Sequence, residues 1–193
     1  MVGRMLGAAR LNVQTYEDVE HDGGATLQAL LVVILVSAAS VAGQLIGGTD
    51  DGVAWAIGIG VIRGVVSWAL WALFTWMIGA TLLKTEQTEA NWGQLARCTG
   101  FAQTPGILNV LFFIPILGGI IYLVALLWTI MCMIVAVRQS LDYTSSWRAF
   151  FVILIAFIPV FILNGIVFLL TGGASESETA AMIVNSVTQM FML

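Results

Sequence analysis

The chain has 193 residues, 60% of them hydrophobic and only 9% charged, with a net charge of -4. An ordinary soluble domain is about 25% charged, and 7 basic plus 11 acidic side chains cannot cover a water-soluble globule of this size. The acidic balance and the lack of a basic cluster argue against nucleic-acid binding, and two cysteines, Cys98 and Cys132, make no disulfide scaffold. What is left is an integral membrane protein.

Residues 1-24 form a cytoplasmic amphipathic segment in this reading. Val2, Met5, Leu6, Ala9, Val13 and Tyr16 recur at helical spacing, with Arg4 and Arg10 placed to reach headgroups, the pattern of a helix lying on the inner leaflet. It does not read as a cleavable signal, because the first long apolar run follows the acidic stretch Glu17, Asp18, Glu20 and Asp22. That stretch reads as a solvated hinge before Gly23-Gly24.

A crossing needs about 20 mostly apolar residues for a hydrocarbon core of about 30 Å. Apolar windows at about 26-46, 60-83, 101-117, 119-137 and 149-171, uncharged except for Arg63 in the second, predict five spans within a domain covering 25-172. The run from Phe101 to Val137 is nearly twice as long as one crossing requires, and Pro115 with Gly118-Gly119 marks a tight turn near its middle. The tail, 173-193, carries Ser175 and Glu178 at the spacing of a capping box, then Ala180, Ile183, Val184, Val187, Met190 and Phe191 along one face. It predicts an external amphipathic helix too short to cross. The expected fold class is all-α, a polytopic bundle of five transmembrane helices with amphipathic helices at both termini.

With five crossings, Arg4, Arg10, Lys84, Arg97, Arg138 and Arg148 fall on one side, and Asp50, Asp51, Glu176 and Glu178 on the other. The positive-inside rule then puts the N-terminus in the cytoplasm and the C-terminus outside. Arg63 stands apart, inside the second apolar stretch and ~31 Å from Lys84 at the rise of a helix. It reads as an anchor to the outer headgroups, with a functional cation facing a cavity as the alternative.

No carboxylate falls within a predicted span, and His21 is the single histidine. Neither an intramembrane acid for proton coupling nor a histidine metal cluster is available. No catalytic residue, metal or cofactor is expected, and the chain reads as non-enzymatic. Cys132, between Met131 and Met133, reads as packing rather than a soft-metal ligand. Trp55 and Trp147 fall near predicted interfaces, whereas Trp68, Trp71 and Trp76 form a stripe expected to pack within the bundle. Gln44, Gln103, Asn109 and Asn164 should hydrogen-bond to neighbouring helices.

Three blocks carry a resemblance. Arg97-Cys98-Thr99-Gly100-Phe101-Ala102-Gln103-Thr104-Pro105 has a glycine, an aromatic, three residues and a proline at the start of the third span. Ile114-Pro115-Ile116-Leu117-Gly118-Gly119 forms the hairpin after it. Trp128 is followed by Ala136-Val137-Arg138-Gln139-Ser140-Leu141-Asp142 and by Arg148. In order and spacing these resemble the Yip family of Ypt/Rab-interacting five-span membrane proteins, in its prokaryotic type. The resemblance implies a structural or interaction role for Gly100, Phe101, Pro105, Pro115, Gly118, Arg138, Asp142 and Arg148, and a prokaryotic inner membrane location. Eukaryotic members carry Asp-Leu-Tyr-Gly-Pro where this chain has Asp22-Gly23-Gly24, which argues against small GTPase binding.

The expected function is binding or organising other membrane proteins or lipids, with the bilayer itself a partner. A small transporter or channel is the alternative suggested by Pro105 and Arg63. An accessory subunit of a large membrane complex, or a homo-oligomer, is the third reading.

Overall fold

The computed structural model describes residues 1–46, 53–86 and 88–170, with the backbone alone for 53–56 and 163–170. The expected tail helix with Ser175 and Glu178, and the acids Asp50 and Asp51, lie outside the described residues, as do the side chains of Trp55 and Asn164. Among the described residues the chain is helical, with no strand.

Two short helices, α1 (Val2–Ala9) and α2 (Val13–His21), come first. Leu11 takes a left-handed φ of 60° between them, and the Asn12 side chain caps α2 by accepting from the Gln14 amide at 2.9 Å. The chain reverses there. Arg4 pairs with Asp22 at 2.7 Å and the Tyr16 hydroxyl donates to Ala8 O at 3.1 Å, so α1 and α2 form an antiparallel hairpin. The single amphipathic helix expected over this stretch is two, broken where Asn12 competes for the backbone.

Next come α3 (Ala25–Leu45), α4 (Val53–Met77) running on into a π turn (Ile78–Leu82), and α5 (Trp92–Ala102). A 3₁₀ segment (Thr104–Phe113) leads into α6 (Leu117–Ser140), and α7 (Ser146–Leu170) ends the described chain. Among the described residues, three helices are long and apolar enough to cross a membrane: Ala25–Leu45, Ile57–Leu82 and Leu117–Ser140. The stretch Ser146–Ile162 of α7 is apolar but shorter.

The third apolar element differs most from its predicted bounds. It starts at Trp92 rather than near 101, under a capping box in which Asn91 and Gln94 satisfy each other's backbone amides. It then breaks at Gln103, because Pro105 has no amide to donate and its ring crowds the preceding turn. The 3₁₀ winding that follows rises about 2.0 Å per residue, steeper than an α-helix, so a short segment reaches further.

This broken element is the centre of the bundle. α5 and the 3₁₀ segment pack against α3, α4, α6 and the α1–α2 hairpin, and Leu95, Cys98, Thr99, Phe101 and Gln103 are buried. Gly43 on α3 lets the 3₁₀ backbone come close, since a Cβ there would overlap the Asn109 carbonyl oxygen. Asn109 Nδ2 donates to Ser40 Oγ at 3.1 Å, the interhelical bond expected of it. Trp68 and Trp71 are buried as expected, Trp68 donating to Thr99 Oγ1 at 3.3 Å, while Trp76 donates to Ala90 O at 2.8 Å. Gln44 departs from expectation: it is exposed and donates to Ser40 O of its own helix. Gln103 is buried, and among the described residues its Oε1 accepts no hydrogen bond.

Candidate functional site

The residues that set one end of this bundle apart are gathered under the α1–α2 hairpin. Met5 and Ala8 of α1, and Tyr16, Val19 and Glu20 of α2, turn inward, at the spacing of three and four that lines one helix face. They rest on α5 and α6. Glycine at position 7 allows the two helices to close together, because a Cβ there would overlap the Thr15 side chain.

Polar contacts then latch the hairpin along its length. From α5, Arg97 donates through Nε to Val19 O at 3.1 Å and through Nη2 to Glu20 O, taking up carbonyls that the end of α2 leaves without intrahelical partners. Its Nη1 reaches Thr26 Oγ1 at 3.4 Å, tying in the start of α3. From α6, Gln139 donates to the Glu17 carboxylate and Trp128 Nε1 donates to Ala9 O at 2.6 Å. Cys98 and Cys132 lie beneath, both free and buried, with their Sγ atoms against Tyr16 O and Ala8 O at 3.4 and 3.5 Å.

Electrostatically, the unusual group is Glu20. The residue is 4% exposed, and among the described residues its carboxylate has no hydrogen bond, since Arg97 is spent on carbonyls. Burial, reinforced by the neighbouring Asp142 charge, pushes its carboxyl up to about 7. His21 beside it is raised by its hydrogen bond to Glu17 O and by the Glu20 charge. Asp22 is held below the usual carboxylate range by the Arg4 hydrogen bond. Sequence reading placed Glu20 in a solvated hinge. Its spacing from Tyr16 and Val19 was the available signal that it falls on the buried face.

The α6–α7 corner closes the same end. Arg138 Nε donates to Tyr143 O at 3.2 Å, and the Tyr143 hydroxyl reaches Gly79 O at 2.9 Å on the π turn and Leu83 O at 3.0 Å just after it. Asp142 holds φ at 52°, a left-handed value that aspartate tolerates, and its carboxylate accepts from the Glu89 amide at 3.4 Å.

The eight family-motif positions do not converge on one site. Gly100, Arg138, Asp142 and Arg148 lie toward the end just described, with Gly100 packed on α3, where a Cβ would stand 2.9 Å from Ala29 Cβ. Phe101 and Pro105 are buried at the break in the central element, and Gly118 is buried beside exposed Pro115 at the opposite end. Gly118 gives room to the 3₁₀ segment, since a Cβ would overlap the Phe112 carbonyl oxygen. Arg63 is exposed on α4 and has no ion pair among the described residues. Among those residues, no three His, Cys, Asp or Glu side chains are grouped to hold a metal ion. Among the described residues the arrangement is a latched, partly polar cap.

A family model described as the Yip1 domain matches residues 12–170, from the hairpin turn to the end of α7. No curated protein matches the chain, and no solved structure does.

Proposed function

We propose, given that the chain belongs to the Yip1 domain family, that it is a non-enzymatic multi-pass protein that binds or organises other membrane proteins or lipids. The observation that carries this is the hairpin. Its inward face is consumed by contacts to α5 and α6, while Val2, Leu6 and Val13 remain exposed on its outer face beside polar residues, as a membrane-associated or partner-binding surface requires. Five crossings fit the chain if the α5–3₁₀ element and α7 join the three long helices, with the arginine-rich end in the cytoplasm. Reporter fusions after Asp51 and at the C-terminus should then both report the outside, and either one inside breaks the arrangement.

Affinity purification of the full chain in mild detergent tests the function. Proteins or phospholipids that co-purify reproducibly support it, and a chain that runs alone counts against it. A transporter is the second reading, favoured by Gln103, whose buried Oε1 lacks a partner among the described residues at the break between α5 and the 3₁₀ segment. Such a group is what a passing polar solute would use. Solute flux in proteoliposomes that falls in Gln103→Leu would support that reading over the first.

A further inference from the structure

The depth of the hairpin, not only its polarity, sets what can lie against it. Trp128 is the twelfth of the 24 residues of α6, and its indole holds Ala9 O at 2.6 Å. α6 is long and apolar enough to cross a membrane, about 36 Å at the rise of a helix against a hydrocarbon core of about 30 Å. The α1–α2 turn therefore sits halfway along a crossing helix. From there α2 climbs beside α6, with Glu17 reaching Gln139 and Glu20 facing Asp142 at the end.

The outer face of this hairpin is not built for acyl chains. Arg10, Asn12, Gln14 and Asp18 are exposed on it, Gln14 and Asp18 bonded to each other at 3.1 Å. The Arg10 guanidinium has no partner among the described residues. Interspersed Leu6 and Val13, also exposed, give the mixed character of a surface at the boundary between headgroups and tails. Elsewhere at comparable depth the bundle presents apolar side chains to its surroundings at Leu127 and Met131 of α6 and Ile158 of α7. Holding an arginine and an aspartate in hydrocarbon is costlier than thinning a leaflet by a few ångströms.

We infer that phospholipid headgroups follow the outer face of the α1–α2 hairpin down to the level of Trp128, so that the bilayer is indented on this one side of the bundle. Arg10 is placed to meet their phosphates, and Leu6 and Val13 to meet the first segments of their chains. The indentation deepens the lipid-organising reading above and rests on it, because it names the lipid part and the face that holds it.

The test uses the full chain in vesicles of phosphatidylcholine and phosphatidylglycerol, with one added cysteine carrying a fluorophore. Gln14→Cys reports the hairpin. Ile158→Cys is the control, as far along α7 from Arg148 as Trp128 is along α6 from Arg138. Cys98 and Cys132 are buried, so they stay unlabelled in the folded protein, and Val13→Cys replaces Gln14→Cys if that variant fails to fold. Quenching is compared between phospholipids with a nitroxide on the headgroup and others with it deep in the chain. At position 14 the headgroup nitroxide should quench several-fold more strongly, and at position 158 the order should reverse. Three outcomes overturn the inference: position 14 behaving like 158, position 158 behaving like 14, or position 14 reached by neither lipid, which would mean a protein or free solution covers it. None of these touches the purification result, so the wider reading stands or falls separately.

Discussion

The Tyr16 hydroxyl donates to the Ala8 carbonyl oxygen at 3.1 Å, with both residues fully buried, and so joins the end of α1 to the first turn of α2. It is a hairpin contact that also faces Cys98 and Cys132. Tyr16→Phe keeps the ring and removes the bond, for an expected loss of about 1 kcal/mol. Tyr16→Ala also empties the space under the hairpin and should cost about 3–5 kcal/mol. Thermal unfolding in detergent ranks the two, and maleimide labelling of Cys98 and Cys132 should rise in the alanine variant first. Equal labelling in wild type and Tyr16→Ala would mean that the hairpin does not shield these thiols.

Acidity acts on the same hairpin with a definite sign. Glu20 is raised in the folded chain from 4.5 to about 7, so the stability it contributes is complete below its unfolded value and disappears as pH climbs through about 7. His21, raised as well, acts in the same direction. Asp22 is lowered from 3.8, so its contribution is present above that value and is lost as pH falls through the lowered one. The hairpin should thus be held best between about 4 and 5 and loosen toward pH 8. Hydrogen exchange of residues 13–21, corrected for intrinsic rates, measures this. Glu20→Gln should flatten the rise between pH 5 and 8. Asp142→Asn should move its midpoint down, because it removes a neighbouring negative charge, and His21→Ala should move it up. A profile unchanged in all three variants would separate the hairpin from this cluster.

What could be read in advance follows from where solvent contrast is strong. α3, α4, α6 and α7 coincide with long apolar runs that Arg63 alone interrupts, and such runs stand out because a membrane core leaves little room for charge. The start of α5 was missed because Gln94, Arg97 and Thr99 look like a loop in sequence, yet Gln94 caps the helix together with Asn91, Arg97 finds carbonyls of the hairpin and Thr99 is buried with the Trp68 indole of α4 as a donor. Amphipathic spacing put Val2, Met5, Leu6, Ala9, Val13 and Tyr16 on one face, whereas Met5 and Tyr16 turn into the protein and Val2, Leu6 and Val13 stay exposed, because spacing neither foresees the reversal at Leu11 nor distinguishes lipid from protein as the cover. Glu20 is the clearest case. Its charge suggested water, and only the turn at Leu11 and the position of Arg97 bring it indoors.

Two adjacent glycines permit a controlled test of the packing at the other end. A Cβ on Gly118 would overlap the Phe112 carbonyl oxygen, which belongs to backbone and cannot swing away, whereas a Cβ on Gly119 meets nothing within 4 Å. Gly118→Ala should therefore push α6 off the 3₁₀ segment and cost about 1–3 kcal/mol or more. Gly119→Ala, exposed in the first turn of α6, should be neutral or stabilising by up to about 1 kcal/mol through helix propensity. Melting temperatures of the purified variants decide it. If both substitutions cost the same, this turn is not in close contact with the 3₁₀ backbone.

Arg97 gives the last prediction, because its role depends on shape as well as charge. The guanidinium spreads Nε and Nη2 over the carbonyls of Val19 and Glu20 and extends Nη1 to Thr26, so one planar group joins α2, α3 and α5. The positive charge also lies at the C-terminal end of α2, where the helix dipole favours a cation. Lysine preserves the charge but presents a point donor that cannot span two carbonyls in this way. Arg97→Met should therefore destabilise by about 1.5–3 kcal/mol for each charged hydrogen bond lost. Arg97→Lys should fall between that variant and wild type. Hydrogen exchange localises the effect: residues 13–21 should open before α3 and α4 do. Were α3 and α4 to open equally early, Arg97 would support the whole bundle rather than the hairpin, and full rescue by lysine would reduce its role to charge alone.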